Sequence, residues 1–179
     1  SRVLTASAFL TNTWSVTPAI GLTGSARLNS TRLRLRDQRG TALSGNHRFA
    51  RLNPAAGLTW QARPWLTVYG SYTQSSRVPT PVELTCADPK DPCRLPNAFV
   101  SDPPLAQVTA GTWEAGLRRT QAPVRWAVAA FTTTARDDII FVSSGTLRGE
   151  GHFQNVGRTD RRGIEASLEY DVTNRLSAT

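Results

Sequence analysis

The sequence predicts an all-β chain: an antiparallel up-and-down segment of a transmembrane β-barrel, about seven strands with the start of an eighth. Three observations predict it. The first is two-faced strands. Ile164, Ala166, Leu168 and Tyr170 share one parity while Gly163, Glu165, Ser167 and Glu169 share the other, and successive side chains of a strand point to opposite faces. The second is the alternation of connections. Those near residues 16, 63, 122 and 172 are short, whereas residues 37–48, 77–107 and 143–151 make longer ones. Outer-membrane-type barrels carry short periplasmic turns and long extracellular loops in this way. The third is aromatic placement. Trp14, Trp60, Trp65, Trp126 and Tyr170 all lie close to a short turn, where amphipathic rings would form one girdle at headgroup level.

The strands follow in order. Residues 3–14 alternate Leu4, Ala6, Ala8 and Leu10 with Thr5, Ser7 and Phe9. Residues 20–36 oppose Ile20, Leu22, Ala26 and Leu28 to Thr23, Ser25 and Arg27, and exceed the usual soluble strand of about 5 or 6 residues. A third strand covers residues 51–61, with Ala56, Leu58 and Trp60 on one face, and a fourth covers 65–75. Residues 77–107 hold seven of the eleven prolines, which excludes this segment from a sheet interior. Further strands are expected over residues 108–119, 125–142 and 153–170, and residues 175–179 begin another. In a membrane every backbone polar group is paired within the protein, so such a sheet has to close against further strands.

Composition limits the alternatives. No run approaches the ~20 apolar residues of a membrane helix, and no basic-then-apolar leader opens the chain, as expected of a mature chain or an internal piece. The formal net charge of +8 is carried by arginine apart from Lys90. It suits nucleic acid, an anionic membrane surface or an anionic ligand, or is simply solvated. Nucleic-acid binding would interleave aromatics with arginine on one sheet face, whereas here the aromatics gather at turns. Cys86 and Cys93 form either a disulfide or two free thiols. His47 and His152 are the only histidines and neither stands at metal-ligand spacing. A disulfide would place the chain in an oxidising compartment.

Several stretches together resemble the carboxyl-terminal half of the β-barrel of TonB-dependent outer-membrane receptors. They are Asn53-Pro54-Ala55-Ala56-Gly57-Leu58-Thr59-Trp60, Tyr69-Gly70-Ser71-Tyr72 leading to Arg77-Val78-Pro79, and Thr112-Trp113-Glu114-Ala115-Gly116-Leu117-Arg118. Ala129-Ala130-Phe131 leading to Asp137-Asp138-Ile139, and Asn155-Val156-Gly157-Arg158 running into the strand of Ile164, complete the set. The resemblance implies that residues 1–179 are part of a barrel of about 22 strands, with the plug and remaining strands lying elsewhere in the parent chain. It implies residence in the outer membrane of a Gram-negative bacterium. It also implies import of a scarce metal chelate, a ferric siderophore first, with energy relayed by TonB. A self-contained eight-stranded barrel with a structural or adhesive role is the alternative.

Candidate residues follow from placement. Arg77, Glu83 and Arg94, in the long extracellular connection, are candidates for cargo contact, or are solvated loop charges. A Cys86–Cys93 bridge would stiffen that exposed loop. Arg32, Arg34 and Arg36 share a face. If the parity of Ile20 and Leu22 persists, they meet lipopolysaccharide phosphates at the outer headgroups, and a bulge would turn them into the lumen. Glu114, Arg118, Glu165 and Glu169 are expected on the lumen wall, and Asp137-Asp138 reads as a solvated pair, with cation binding as the alternative. No nucleophile elbow, phosphate-cradling loop or metal signature occurs, so no enzyme, cofactor, resident metal or nucleic-acid partner is expected.

Overall fold

The computed structural model describes residues 1–36, 44–87, 93–94, 105–144, 150–173 and 176–178. These form nine strands and one helical turn: β1 (Arg2–Thr17), β2 (Ile20–Leu35), β3 (Gly45–Arg63), β4 (Leu66–Arg77), α1 (Pro81–Leu84), β5 (Cys93–Arg94), β6 (Val108–Arg119), β7 (Val124–Ser143), β8 (Glu150–Thr173) and β9 (Leu176–Ala178). They make one antiparallel sheet in the order β1-β2-β3-β4-β6-β7-β8, with β5 and β9 added to β8. No ladder joins β1 to the far end among the described residues, so the sheet is open. The self-contained eight-stranded barrel is therefore not the architecture seen.

Two elements depart from the expected boundaries. β3 begins at Gly45 instead of near residue 51, because Asn46, Arg48 and Ala50 pair with Arg34, Arg32 and Ser30 of β2. A partner strand draws a polar sequence into the ladder that has little strand character of its own. Within residues 77–107, Cys93 and Arg94 add a short ladder to Gly151 and Glu150 of β8. That ladder lies at an edge, where a proline-rich segment is tolerated.

Long unbroken registers keep the two faces separate. Every partner pair between β2 and β3 runs in step from Ile20–Trp60 to Leu35–Gly45, and β4 pairs with β6 in step from Leu66–Arg119 to Arg77–Val108. The rungs Trp14–Leu22, Val68–Leu117, Ala130–Ile164 and Trp126–Leu168 therefore fall on one face. That face is uncovered, with Leu10 75% and Ile164 77% exposed. On the other face hydroxyl pairs lie directly across the ladder: Thr5–Thr31 at 3.0 Å, Thr11–Ser25 at 2.8 Å, Thr13–Thr23 at 3.1 Å and Thr112–Thr133 at 2.8 Å. Such cross-strand pairs are the unit of sheet stabilisation.

The small apolar core lies on the hydroxyl face, at the end of the sheet opposite the short turns. Leu33 and Leu35 of β2, Val108 of β6 and Ile139 of β7 join Leu84, Ala87 and Leu105 of the segment between β4 and β6. At about 4.8 Å per strand, β2 and β7 would stand roughly 19 Å apart in a flat sheet. One short segment can gather residues from both only if the sheet curls around it, so this face is the concave one.

Glycines on both faces make room for rings from neighbouring strands. A Cβ at Gly116 would lie 2.6 Å from the Tyr69 ring, and one at Gly163 would lie 2.7 Å from Phe131; both are direct cross-strand partners. Aromatic cover of strand glycines restores buried area that the missing side chain forfeits. At Gly151 an added Cβ would run into the Val142 carbonyl oxygen and lie 2.6 Å from Phe141. Gly157 has nothing within 4 Å. Gly151→Ala is therefore expected to cost about 1–3 kcal/mol more than Gly157→Ala, measured by urea unfolding of the complete barrel in detergent micelles.

Candidate functional site

The docked segment at the open end brings together most of the residues expected to contact cargo, and shows what occupies them. Pro81 at the first turn and a Thr80 cap start α1. The Thr80 hydroxyl accepts from the Glu83 amide at 3.2 Å, while the Glu83 carboxylate accepts from the Thr80 amide at 2.7 Å, a reciprocal capping box. Arg77 Nη1 donates to both Glu83 oxygens, at 3.1 and 2.8 Å. Burial alone would raise the Glu83 pKa, but the hydrogen bonds from Arg77 and Thr80 outweigh it and hold the carboxyl below its usual range. Glu83 is thus spent on the fold, whereas Arg77 remains 46% exposed at its side chain. The backbone of Arg94 is held by β8, and its side chain lies outside the described residues.

Cys86 and Cys93 form the disulfide, with Cα atoms 5.6 Å apart. Both are buried, at 2% and 0% exposure. The bridge, expected from the sequence, is itself buried and anchors the segment to β8. Phe153 N donates to the Cys86 carbonyl at 2.6 Å, Cys86 Sγ faces the Gly151 carbonyl at 3.6 Å, and Cys93 pairs with Gly151. Residues 88–92, which the ring encloses, lie outside the described residues.

A second bracket comes from Asn155, which the sequence reading treated only as part of a motif. Its Oδ1 accepts from Ala106 N at 2.8 Å, while Nδ2 donates to the carbonyls of Ala106 at 3.2 Å and Asp137 at 2.7 Å. Asp137 has a positive φ of 54°, a conformation that Asp tolerates better than most residues. The amide of Asn155 thus ties the returning segment to this kink in β7. Asp138 Oδ1 accepts from Ile139 N at 3.0 Å. No group able to hold a metal ion occurs among the described residues.

The expected wall residues share the concave face. Glu114 and Arg118 flank the Tyr69 ring, with the Arg118 guanidinium 6.0 Å from its centroid. Near the short turns Arg125 donates to both oxygens of Glu169, at 3.1 and 2.8 Å, and to Asp171 at 2.8 Å. Glu169 is therefore neutralised across the ladder instead of being a free channel charge. Arg125 was missed because the only signal, a basic residue opposite two acidic ones, exists once the β7–β8 register is known.

On the convex face, Arg32, Arg34 and Arg36 are exposed beside buried Leu33 and Leu35. No register shift interrupts β2 against β3, so Arg32 and Arg34 continue the parity of Ile20 and Leu22 without an inward bulge, and Arg36 follows one residue past the ladder. Arg32 directly opposes Arg48, and Arg34 opposes Arg2. Trp14, Trp60, Trp126 and Tyr170 lie on the same convex face by register. Trp65 sits in a short turn, 5.6 Å from the Arg119 guanidinium. Trp113, assigned no role by the sequence, packs against Tyr72 with the rings tilted by 44° and centroids 4.8 Å apart.

With this geometry in place, the chain can be set beside known proteins. Residues 2–179 match the family described as TonB dependent receptor-like, beta-barrel. No curated protein sequence matches. Among solved structures, the copper transporter OprC superposes with a TM-score of 0.76 at 15% identity, covering 96% of this chain and 27% of its own. The Serratia marcescens hemophore receptor HasR gives 0.69 at 20% identity, with coverage of 94% and 32%. The alcaligin receptor FauA of Bordetella pertussis gives 0.68 at 15%, with 96% and 28%. At these identities the likeness is one of fold, and the chain spans between a quarter and a third of each of these structures.

Two outcomes are expected for the docked segment. Because the folded pKa of Glu83 is depressed, its contribution is complete above the usual carboxylate value of about 4.3 and is lost as pH falls through the lower folded value. Glu83→Gln should weaken docking by about 1 kcal/mol at neutral pH, seen as faster hydrogen exchange at residues 80–87, with the difference from the parent shrinking as acid protonates the parent's carboxylate. Replacing Cys86 and Cys93 by serine should cost roughly 2.5 kcal/mol and speed hydrogen exchange at Phe153, whose amide donates to Cys86.

Proposed function

The chain belongs to the TonB-dependent receptor β-barrel family, and from that premise we propose that it forms wall and extracellular connections of an outer-membrane transporter that imports a scarce metal chelate with energy relayed by TonB. The observation that carries the reading is the uncovered apolar convex face, bordered near the short turns by Trp14, Trp60, Trp126 and Tyr170. An apolar band with an aromatic girdle suits a lipid bilayer, and the hydroxyl-rich concave face suits a hydrated lumen. The open edges are paired by further strands of the same barrel, and the Arg125–Glu169–Asp171 cluster lines the periplasmic end of the lumen.

A ferric siderophore is the preferred cargo, as the alcaligin and ferric yersiniabactin receptors are named for such ligands. Copper and haem are the cargoes named for other similar structures. Of the three loop candidates, Arg77 keeps exposed donors for an anionic chelate and Glu83 holds it in place; Arg94 stays a candidate on its position in the segment. Arg32, Arg34 and Arg36 meet lipopolysaccharide phosphates at the outer rim. They lie about 12 to 16 residues above the short turn, roughly 28–37 Å at 3.3 Å per residue and a 45° tilt.

The test is uptake by cells that depend on the complete receptor for growth on one iron chelate. Radiolabelled ferric siderophore should enter only with TonB present, and Arg77→Ala should weaken binding several-fold. Uptake of copper or haem instead would replace the cargo, and uptake that persists without TonB would remove the mechanism.

A further inference from the structure

The connection between β4 and β6 is held by contacts of two ranges, and the disulfide stands where they meet. On one side every contact is local. Leu84 N donates to the Thr80 carbonyl and Thr85 N to that of Pro81, each at 3.1 Å, and Cys86 N donates to the Glu83 carbonyl at 3.4 Å. With the Thr80–Glu83 cap and the Arg77 ion pair, these set Cys86 at the end of α1 using residues 77–86 alone. Cys93 follows seven residues later, its Cα 5.6 Å from that of Cys86, inside the usual span of a disulfide. None of these contacts involves β8.

On the other side the anchors are distant in sequence. Cys86 Sγ faces the Gly151 carbonyl, 65 residues further on. Phe153 N donates to the Cys86 carbonyl, and Cys93 and Arg94 pair with Gly151 and Glu150. Docking also gathers Leu84, Ala87 and Leu105 with Leu33, Val108 and Ile139. Once docked, both cysteines are buried, as is Gly151.

Thiol–disulfide exchange needs a thiolate and direct access to a sulfur atom. Apolar burial disfavours the thiolate and covers the sulfur, so a donor in solvent has no route to the docked pair. Timing agrees with access. A loop of about ten residues closes in roughly 10–100 ns, whereas pairing with β8 waits on slower non-local ladders.

We propose that the Cys86–Cys93 bridge is made on the undocked connection, by exchange with a disulfide donor of the oxidising compartment, and that docking on β8 then seals it. One cysteine thiolate attacks a donor sulfur, which forms a mixed disulfide and releases the donor's other sulfur as a thiolate. The second cysteine thiolate attacks the cysteine sulfur of that mixed bridge, so the Cys86–Cys93 bond forms and the remaining donor sulfur leaves. Two electrons pass to the donor, and the two protons lost by the cysteines end on its thiolates. An oxidation step therefore precedes docking, and the finished bridge is a permanent latch closed to exchange in the folded receptor.

The experiment gives glutathione disulfide to the complete receptor with both cysteines reduced, either unfolded in urea or folded in detergent micelles. Mass spectrometry of acid-quenched samples follows the mixed disulfide and the bridge, and hydrogen exchange at Phe153 reports docking. The unfolded chain should gain the bridge at least about 100-fold faster than the docked one, whose thiols react only through local opening. The oxidised, folded receptor should resist tris(2-carboxyethyl)phosphine by a similar factor. Phe153→Pro removes the amide that holds Cys86 and should return reactivity toward that of the unfolded chain in both directions. Where that variant does not fold by circular dichroism, Asn155→Ala, which releases the connection at Ala106, serves in its place. A reduced chain that folds but leaves the Phe153 amide unprotected would show that docking requires the bridge, the same order. A docked, reduced receptor that gains the bridge as fast as the unfolded chain would overturn the proposal. So would an oxidised receptor that loses it as readily folded as unfolded, or a folded undocking variant with unchanged reactivity.

Discussion

Everything in this molecule depends on strand registers that run without slippage over long ladders. A slip of one residue would move an entire side-chain set to the opposite face, and strands of 16 to 24 residues, as β1, β2, β3, β7 and β8 are, would carry that error across the whole wall. Irregularities in the ladders of β1–β2, β3–β4 and β8–β9 are confined to the short turns, between Ser15 and Thr17, Gln61 and Arg63, and Asp171 and Thr173. The kink at Asp137 leaves the β7–β8 pairing in step on either side. A steady register lets one face be apolar and the other hydroxylated with no compromise on either.

The core is small because the sheet is not built around one. Its apolar surface points away from the concave side, so the buried cluster forms only where the β4–β6 connection folds back onto Leu33, Val108 and Ile139. Three kinds of interaction hold that connection. Leu84 and Leu105 bury apolar surface, the disulfide and β5 fasten it to Gly151 and Phe153, and Asn155 pins its return at Ala106. The capping box and the Arg77 ion pair then shape the one turn of helix between these anchors. Among the described residues of that connection, Arg77 keeps an exposed guanidinium beside the concave side.

Arginines are placed in two different ways. On the concave face Arg125 lies opposite Glu169 and reaches Asp171, which neutralises all three locally. On the convex face Arg32 opposes Arg48 and Arg136 opposes Arg158, so positive charge accumulates at the upper rim. Balanced pairs suit a wall that meets water and other parts of one protein.

Alternation, turn chemistry and ring placement are local properties, and so the strands, the short turns, the two faces and the aromatics near the turns were legible in the sequence alone. Trp113 with Tyr72, Asn155 with Ala106, Arg125 with Glu169 and Arg136 with Arg158 were not legible. Each is a partnership between residues far apart in the chain, created by a register that only the assembled ladder defines. The same reason explains the cysteines: their spacing allowed a bridge, but a seven-residue separation carries no information about the strand it is fastened to. The amino-acid sequence determined which side of each strand is apolar, because parity resides in the strand itself. Tertiary structure alone decided which charges meet and where the long connection docks, because both follow from the pairing and curl of strands whose residues are distant in the chain.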